Sequence, residues 1–168
     1  MKIGVLSDSH LKTTLHEAAI RQLVEEGANY LLHAGDLETK EHLDMLQATQ
    51  LPYLCVYGNN DTRLIQFYGE YPTYQEPHYF KIGEIKIKMM HMPYYLTPDA
   101  DIVISGHTHK FEACKIGETL FLNPGEVCAR EKDLSECVMV EIEEGSWKVV
   151  YYSRHPSDSN WSSRTIVL

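Results

Sequence analysis

Seven side chains of the kinds that bind metal ions stand at the ends of apolar stretches of this sequence. They are Asp8, His10, Asp36, Asn59, His91, His107 and His109. A mixed set of imidazole, carboxylate and amide groups suits manganese, iron or zinc better than magnesium or calcium. The sequence therefore predicts a metal centre.

The spacing of these residues also suits metal binding. One residue separates Asp8 from His10, and one separates His107 from His109. Residues i and i+2 of an extended chain point to the same side, so we expect each pair to face a metal. Glycine permits sharp turns and close backbone approach. Three of the predicted ligands, Asp36, Asn59 and His107, directly follow a glycine. These glycines are Gly35, Gly58 and Gly106.

The first half of the chain alternates apolar runs with helical patterns. We predict strands over 3–6, 30–33 and 53–57, separated by amphipathic helices over 15–25 and 38–48. This β-α-β-α-β order indicates a parallel sheet with right-handed crossovers. In such sheets ligands bind beyond the carboxyl ends of the strands, which is where the metal-binding side chains stand.

The second half is dominated by predicted hairpins, and we expect two sheets in the chain. The alternation of Ile and Lys over 85–88 predicts a strand with one wet face. A short strand is expected over 101–105. For the tail over 155–168 two alternatives stay open: it lies loose at the periphery, or its last residues dock onto the domain. The three predicted hairpins pair 79–82 with 85–90, 111–116 with 119–122, and, around Glu144-Gly145, 137–142 with 147–152. We expect one domain, 1–168.

Composition excludes several classes of protein. The net charge of −9 makes nucleic acid an unlikely partner, because an acidic surface repels phosphate backbones. No apolar run reaches the length of a membrane helix, and the N-terminus lacks a signal-peptide core, so a cytoplasmic location without membrane contact is expected. The four cysteines lack metal-knuckle spacing and are read as reduced thiols.

Taken in order, the polar clusters resemble the signature of calcineurin-like metallophosphoesterases. The segments are Asp8-Ser9-His10, Gly35-Asp36, Gly58-Asn59-Asn60-Asp61, Gly106-His107-Thr108-His109 and Asn123-Pro124-Gly125. The resemblance runs from Met1 to about Val127 and is strongest to the small bacterial and archaeal phosphodiesterase branch. It implies an α/β/β/α sandwich of two sheets flanked by helices.

The resemblance also implies a function. One metal would be held by Asp8, His10, Asp36 and His109, and the other by Asp36, Asn59, His91 and His107. A hydroxide shared by the two metals would attack phosphorus in line, so that the protein would be a phosphoesterase with phosphodiesters as its main substrates. We expect two divalent ions, manganese first and iron, zinc or nickel as alternatives. The expected partner is a small phosphate ester, and homo-oligomers are left open.

Two departures from the family pattern bear on catalysis. Many relatives carry a histidine that protonates the leaving group where this chain has Asn60, and an amide is no general acid. Asn60 and Asp61 are retained as catalytic candidates, with Asp61 either relaying a proton through water or capping the turn. Only fifteen residues separate His91 from His107, which leaves room for a single helical turn over 97–100.

The sequence also leaves alternative functions open. The segment 104–113 resembles the metallophosphoesterase-fold subunit of retromer, which is regarded chiefly as a protein-binding scaffold. A metal-dependent nuclease is disfavoured by the net charge. His33 is expected in the core or behind the ligands. Four further histidines are expected on the surface: His16, His42, His78 and His155.

Overall fold

The computed structural model describes residues 1–143 and 146–168. Within these ranges lie two α-helices, α1 (Thr13–Glu25) and α2 (Lys40–Ala48), and a 3-10 helix over Asp61–Phe67. The strands are β1 Lys2–Leu6, β2 Tyr30–His33, β3 Tyr53–Val56, β4 Thr73–Tyr74, β5 His78–Ile82, β6 Ile85–Met89, β7 Ile102–Ile104, β8 Phe111–Ile116, β9 Thr119–Pro124, β10 Ser135–Glu143, β11 Ser146–Arg154 and β12 Ser162–Ile166. The predicted turn at Glu144-Gly145 lies outside the described residues.

The larger sheet has seven strands in the order β12-β11-β10-β1-β2-β3-β4. Strands β1, β2 and β3 are parallel neighbours, as the β-α-β-α-β pattern predicted. Leu6 pairs with His33, and His33 pairs with Cys55, so the carboxyl ends of the three strands reach one edge together.

The smaller sheet has five strands in the order β5-β6-β7-β9-β8. Its central strands β6, β7 and β9 are parallel, and the two outer strands are antiparallel to their neighbours. The first two predicted hairpins are confirmed as β5–β6 and β8–β9.

The two sheets pack face to face through buried apolar side chains. Val5 and Leu32 of the larger sheet join one cluster with Ile87, Ile104 and Leu122 of the smaller sheet. A second cluster buries α1 and α2 against the opposite face of the larger sheet. The expected α/β sandwich of two sheets is therefore confirmed, and both described α-helices pack on the outer face of the larger sheet. Among the described residues, segment 92–100 rather than a helix lies over the outer face of the smaller sheet.

One predicted wet position is buried. Lys88 is fully buried, and its ammonium group donates to Thr97 Oγ1 at 2.7 Å and pairs with Asp99 Oδ1 at 2.7 Å. The predicted helical turn over 97–100 does not form, because Thr97 and Asp99 turn back to satisfy this buried charge.

The C-terminal tail docks onto the larger sheet. Ser162–Ile166 forms β12 and pairs antiparallel with β11. The short strand β4 and the 3-10 helix were not predicted. In the part of the chain that the structure describes, no helix is long and apolar enough to cross a membrane.

Candidate metal centre

All seven predicted ligands meet where the carboxyl ends of five strands come together. Four of them follow β1, β2 and β3 of the larger sheet, and three follow β6 and β7 of the smaller one. Backbone hydrogen bonds fix the first two loops: Asp8 N–H donates to the Gly35 carbonyl at 3.0 Å, and His10 N–H to the Asp36 carbonyl at 2.8 Å. The centre therefore lies across both sheets.

The loops position their ligands through left-handed turns and not through extended chain. Asp8, His10, Asp36, His107 and His109 all have positive φ, between 47° and 66°. The expectation that i and i+2 face one side because the chain is extended is therefore wrong. Asp8 and His10 nevertheless both reach His109 Nε2, whereas His107 and His109 contact different donor groups. Each such residue costs about 1–3 kcal/mol, and such strain is found mainly at functional sites.

Two glycines are required by close approach. A side chain at Gly58 would overlap the Asp36 carboxylate, and one at Gly106 would overlap the Ser7 hydroxyl and the Ala34 carbonyl. The loops that carry Asn59 and His107 therefore pass directly against the neighbouring ligand loops.

The first group of donors surrounds His109. Its Nε2 atom lies 3.3 Å from Asp8 Oδ1 and 3.3 Å from His10 Nε2. Asp36 Oδ2 lies 3.8 Å from the same nitrogen of His10. These are the four residues expected to share one metal.

The second group surrounds Asn59. Its Oδ1 atom lies 3.1 Å from His91 Nε2 and 3.1 Å from His107 Nδ1. Asp36 Oδ2 lies 3.3 Å from His91 Nε2, so one carboxylate oxygen faces both groups. Among residues 1–143 and 146–168, Asp8, Asp36 and His91 also form one of two clusters whose donor atoms lie within 4.8 Å of one another.

The electrostatics of the two aspartates suit cations. Asp8 is fully buried and, among the described residues, its Oδ1 atom lacks a hydrogen-bond partner. Burial raises the pKa of Asp8, and the opposing effects of His91, of His109 and of the Ser7 hydroxyl offset this rise only in part. Burial opposes ionisation of Asp36 as well, but hydrogen bonds from His91 and Asn60 outweigh it and hold its pKa well below the usual range. A divalent cation would satisfy the unpartnered oxygen, so the donor set fits a metal.

Two carboxylates hold the far sides of the ligand imidazoles, and sequence reasoning missed both. Glu38 Oε1 lies 2.6 Å from His10 Nδ1, and Glu126 Oε2 lies 2.5 Å from His109 Nδ1. A carboxylate at Nδ1 leaves the Nε2 lone pair facing the centre, as metal ligation requires. The one available signal was that Glu126 directly follows the Asn123-Pro124-Gly125 motif.

A cation and a thiol of the chain lie beside His109. Arg130 Nη2 lies 3.1 Å from His109 Nε2, so a guanidinium faces the nitrogen that is expected to bind metal. The Cys128 thiol lies 3.2 Å from Glu126 Oε2, and burial together with this contact raises its pKa to about 12. Cys128 is a free, buried thiol, as predicted for the cysteines, and its sulfur lies with donor atoms of His10 and His109 within 4.8 Å of one another.

The two catalytic candidates occupy different environments. Asn60 is exposed, and its side-chain amide donates to Asp36 Oδ2 at 2.7 Å. Asp61 is buried and accepts backbone N–H groups of Gly58, Asp36 and Glu38 at 2.6–2.8 Å. Burial raises the pKa of Asp61 to about 6. Its contacts are those of a residue that fixes the ligand loops.

Two of the four histidines expected on the surface are buried instead. His16 and His42 are fully buried, and their rings lie 4.4 Å apart between centroids. The Ser9 oxygen lies 2.7 Å from His16 Nδ1 and 2.7 Å from His33 Nε2. His33 is therefore a core histidine behind the ligand loop, as predicted, and His16 joins it there because Ser9 offers a partner.

Comparison with known proteins gives a family and a fold. The profile of the calcineurin-like phosphoesterase superfamily domain matches residues 1–145. A probable metallophosphoesterase of Methanothermobacter thermautotrophicus is 33% identical over 141 residues, which cover 74% of this chain and 76% of that protein. A phosphodiesterase of Methanocaldococcus jannaschii is 25% identical over 141 residues, covering 76% and 85%.

The fold of this chain also resembles that of a protein that is not named as a phosphoesterase. Vacuolar protein sorting 29 of Cryptosporidium parvum superposes with a TM-score of 0.77 at 20% identity, and the match covers 98% of this chain and 97% of that one. At this level of identity the likeness shows the fold alone.

Proposed function

Because the chain belongs to the calcineurin-like phosphoesterase superfamily, we propose that it is a phosphodiesterase that works with two divalent metal ions. The observation that carries this proposal is the position of Asp36 Oδ2, 3.8 Å from His10 Nε2 and 3.3 Å from His91 Nε2. One carboxylate oxygen thus faces both groups of donors.

The side chains of the centre have separate tasks in this proposal. Asp8, His10 and His109 would hold one metal, and Asn59, His91 and His107 the other, with Asp36 shared. The chemistry that such a pair of cations supplies is a nucleophile at neutral pH and neutralisation of charge on the phosphoryl oxygens. Manganese is the metal that we expect first, and iron, zinc or nickel could replace it.

Asn60 and Asp61 act on the ligands and not on the leaving group. The Asn60 amide orients the shared carboxylate, and Asp61 ties the Asp36 and Gly58 loops together through backbone hydrogen bonds. Neither supplies a proton to a departing alkoxide. Esters with good leaving groups are therefore the favoured substrates.

The direct test is turnover of bis(p-nitrophenyl) phosphate by the manganese-loaded protein. We expect wild type to release p-nitrophenolate, and Asp8→Asn and His109→Ala to lose more than about 100-fold in kcat/KM, because each removes a metal ligand. His155→Ala is the matched control, since His155 is exposed and lies outside the centre. Near wild-type turnover in either ligand variant would overturn the proposal.

A protein-binding scaffold is the second candidate function. Asn60 in place of an acid histidine favours it, because the side chain at that position cannot protonate a leaving group. The two candidates differ in the turnover test, because a scaffold can bind metal without hydrolysing an activated diester.

The expected cytoplasmic location remains a prediction.

A further inference from the structure

A pocket of about 250 Å³ opens beside the metal centre. Its walls include Tyr57, Asn59, Ile65, Tyr68, Gln75 and Glu76. This volume is smaller than that of a typical drug-sized ligand site and suits a single ring system.

The pocket shares one wall with the second donor group. Asn59 lines it, and the Oδ1 atom of the same residue lies 3.1 Å from both His91 Nε2 and His107 Nδ1. A phosphate ester bound at these donors would therefore place one of its organic groups at the mouth of the pocket.

Another lining residue, Glu76, is tied to the segment that carries His91. The Glu76 carboxylate accepts the backbone N–H of Met92 at 2.7 Å and that of His91. Because both lining residues are tied to predicted ligand segments, the pocket keeps a fixed position relative to the centre.

The outer wall presents exposed apolar surface. Ile65 is 58% exposed and Tyr68 is 75% exposed. The two residues are three apart at the end of the 3-10 helix, where the Tyr68 N–H donates to the Ile65 carbonyl at 3.0 Å, and i and i+3 side chains of such a helix eclipse. Exposed apolar groups next to a polar centre are typical of a binding surface.

We infer that this pocket binds an aromatic ring carried by the phosphate ester, with Tyr68 as its principal contact. The inference rests on the proposed function for the identity of the reacting group. Tyr57 and Tyr68 supply ring faces for stacking or edge-to-face contact, and the exposed Gln75 amide can bond to polar atoms at the edge of the ring. The substrate class is therefore an aryl or nucleoside ester, and not a purely aliphatic one.

Binding of uncleaved analogues tests the pocket without requiring turnover. The manganese-loaded protein is titrated calorimetrically with phenylphosphonate, cyclohexylphosphonate and methylphosphonate. We expect phenylphosphonate to bind about three- to tenfold more tightly than either aliphatic analogue. Tyr68→Ala should remove this preference. Tyr94→Ala should keep it, because Tyr94 is similarly exposed at 72% but does not line the pocket.

Each other outcome overturns the inference. It fails if phenylphosphonate binds no more tightly than the aliphatic analogues, if phosphonates do not bind, or if Tyr68→Ala and Tyr94→Ala have the same effect. The rates of hydrolysis of three diesters then separate aryl from nucleoside substrates: methyl p-nitrophenyl phosphate, phenyl p-nitrophenyl phosphate and thymidine 5′-(p-nitrophenyl phosphate). All three release the same p-nitrophenolate leaving group. A preference in binding without any turnover would contradict the proposed function and leave the pocket assigned.

Discussion

Glu126 and Glu38 hold the imidazoles of His109 and His10 by the ring nitrogens that face away from the centre. Glu126 is fully buried, and its second oxygen accepts the backbone N–H groups of Glu131 at 2.7 Å and Lys132 at 3.0 Å. Burial opposes its charge, yet the hydrogen bonds from His109 and the backbone lower its pKa to about 2. Glu126 therefore fixes the orientation of His109 before any metal binds.

Replacing Glu126 should weaken metal binding. We expect Glu126→Gln to lower the affinity for manganese at the donor group around His109 about 10- to 100-fold. The amide holds the His109 ring less firmly than the carboxylate and raises the basicity of the ring less. A metal titration followed by calorimetry measures the change. Glu131→Gln is the control, since Glu131 is exposed and binds Glu126 only through its backbone. Equal affinities of the two variants would contradict this role.

Asn60 is the residue at which this chain departs most from the family pattern. Its backbone N–H donates to Asp36 Oδ1 at 2.9 Å and its side-chain amide to Asp36 Oδ2 at 2.7 Å. It therefore orients the shared carboxylate but cannot protonate a leaving oxygen.

Asn60→His should relieve the dependence on the leaving group. General acid catalysis is typically worth roughly 10²- to 10⁴-fold, and it matters most for poor leaving groups. We expect wild-type rates to fall steeply as leaving-group pKa rises across aryl and alkyl esters, and the histidine variant to show a shallower slope. A flat dependence in wild type would show that another group supplies the proton.

At the scale of elements, a buried polar cluster joins both α-helices to the ligand loop of β1. His16 of α1 contacts Ser9, which stands between Asp8 and His10, and its Nε2 atom lies 3.2 Å from the His42 carbonyl of α2. The helices thus support the loop from behind. Burial, reinforced by neighbouring histidines, lowers the pKa of His16 and of His33 well below the ordinary value.

This cluster should make stability depend on pH. Both histidines stay neutral in the fold, whereas the unfolded chain takes up protons below about pH 6.5. Their contribution is fully present above that pH and is lost as pH falls, by at most about 1.4 kcal/mol per pH unit for each histidine. Urea unfolding of the metal-free protein between pH 7.5 and 5 should show a shallower slope for His16→Gln than for wild type. His155→Gln should match wild type, and identical slopes for all three would contradict the account.

Periodicity predicted the elements whose patterns are strong. The apolar runs over 3–6 and 30–33 and the helical spacing of α1 and α2 were sufficient to place the parallel sheet. Strand β12 was not predicted because 162–166 is mostly polar and lacks the apolar pattern of a strand, although it pairs with the preceding strand β11. Lys88 was misplaced because segment 92–100 folds over it, which the local alternation does not encode.

The position of the candidate centre was also predictable from the apolar strands. The seven predicted ligands follow apolar strands, so their meeting point follows from the topology of a parallel sheet. Glu38 and Glu126 escaped because their roles depend on contacts across 28 and 17 residues of chain. The left-handed turns at Asp8 and His109 escaped because strain of this kind is imposed by the surrounding fold.

At the scale of the whole molecule, the centre joins the two sheets. The larger sheet contributes Asp8, His10, Asp36 and Asn59, and the smaller contributes His91, His107 and His109. Two divalent cations would offset about four units of the net charge of −9 and would stabilise the fold by binding only its native form. In the proposed centre, Asp36 is the residue that both groups of donors would share.

The ratio of metal to protein tests this account most directly. After manganese loading and removal of free metal, elemental analysis should give two ions per chain for wild type and less than one for Asp36→Asn, because the shared carboxylate serves both groups. Asp158→Asn, at an exposed position outside the centre, should retain two. A wild-type ratio of one or less, or two ions retained by Asp36→Asn, would contradict a centre that holds two metals across one aspartate.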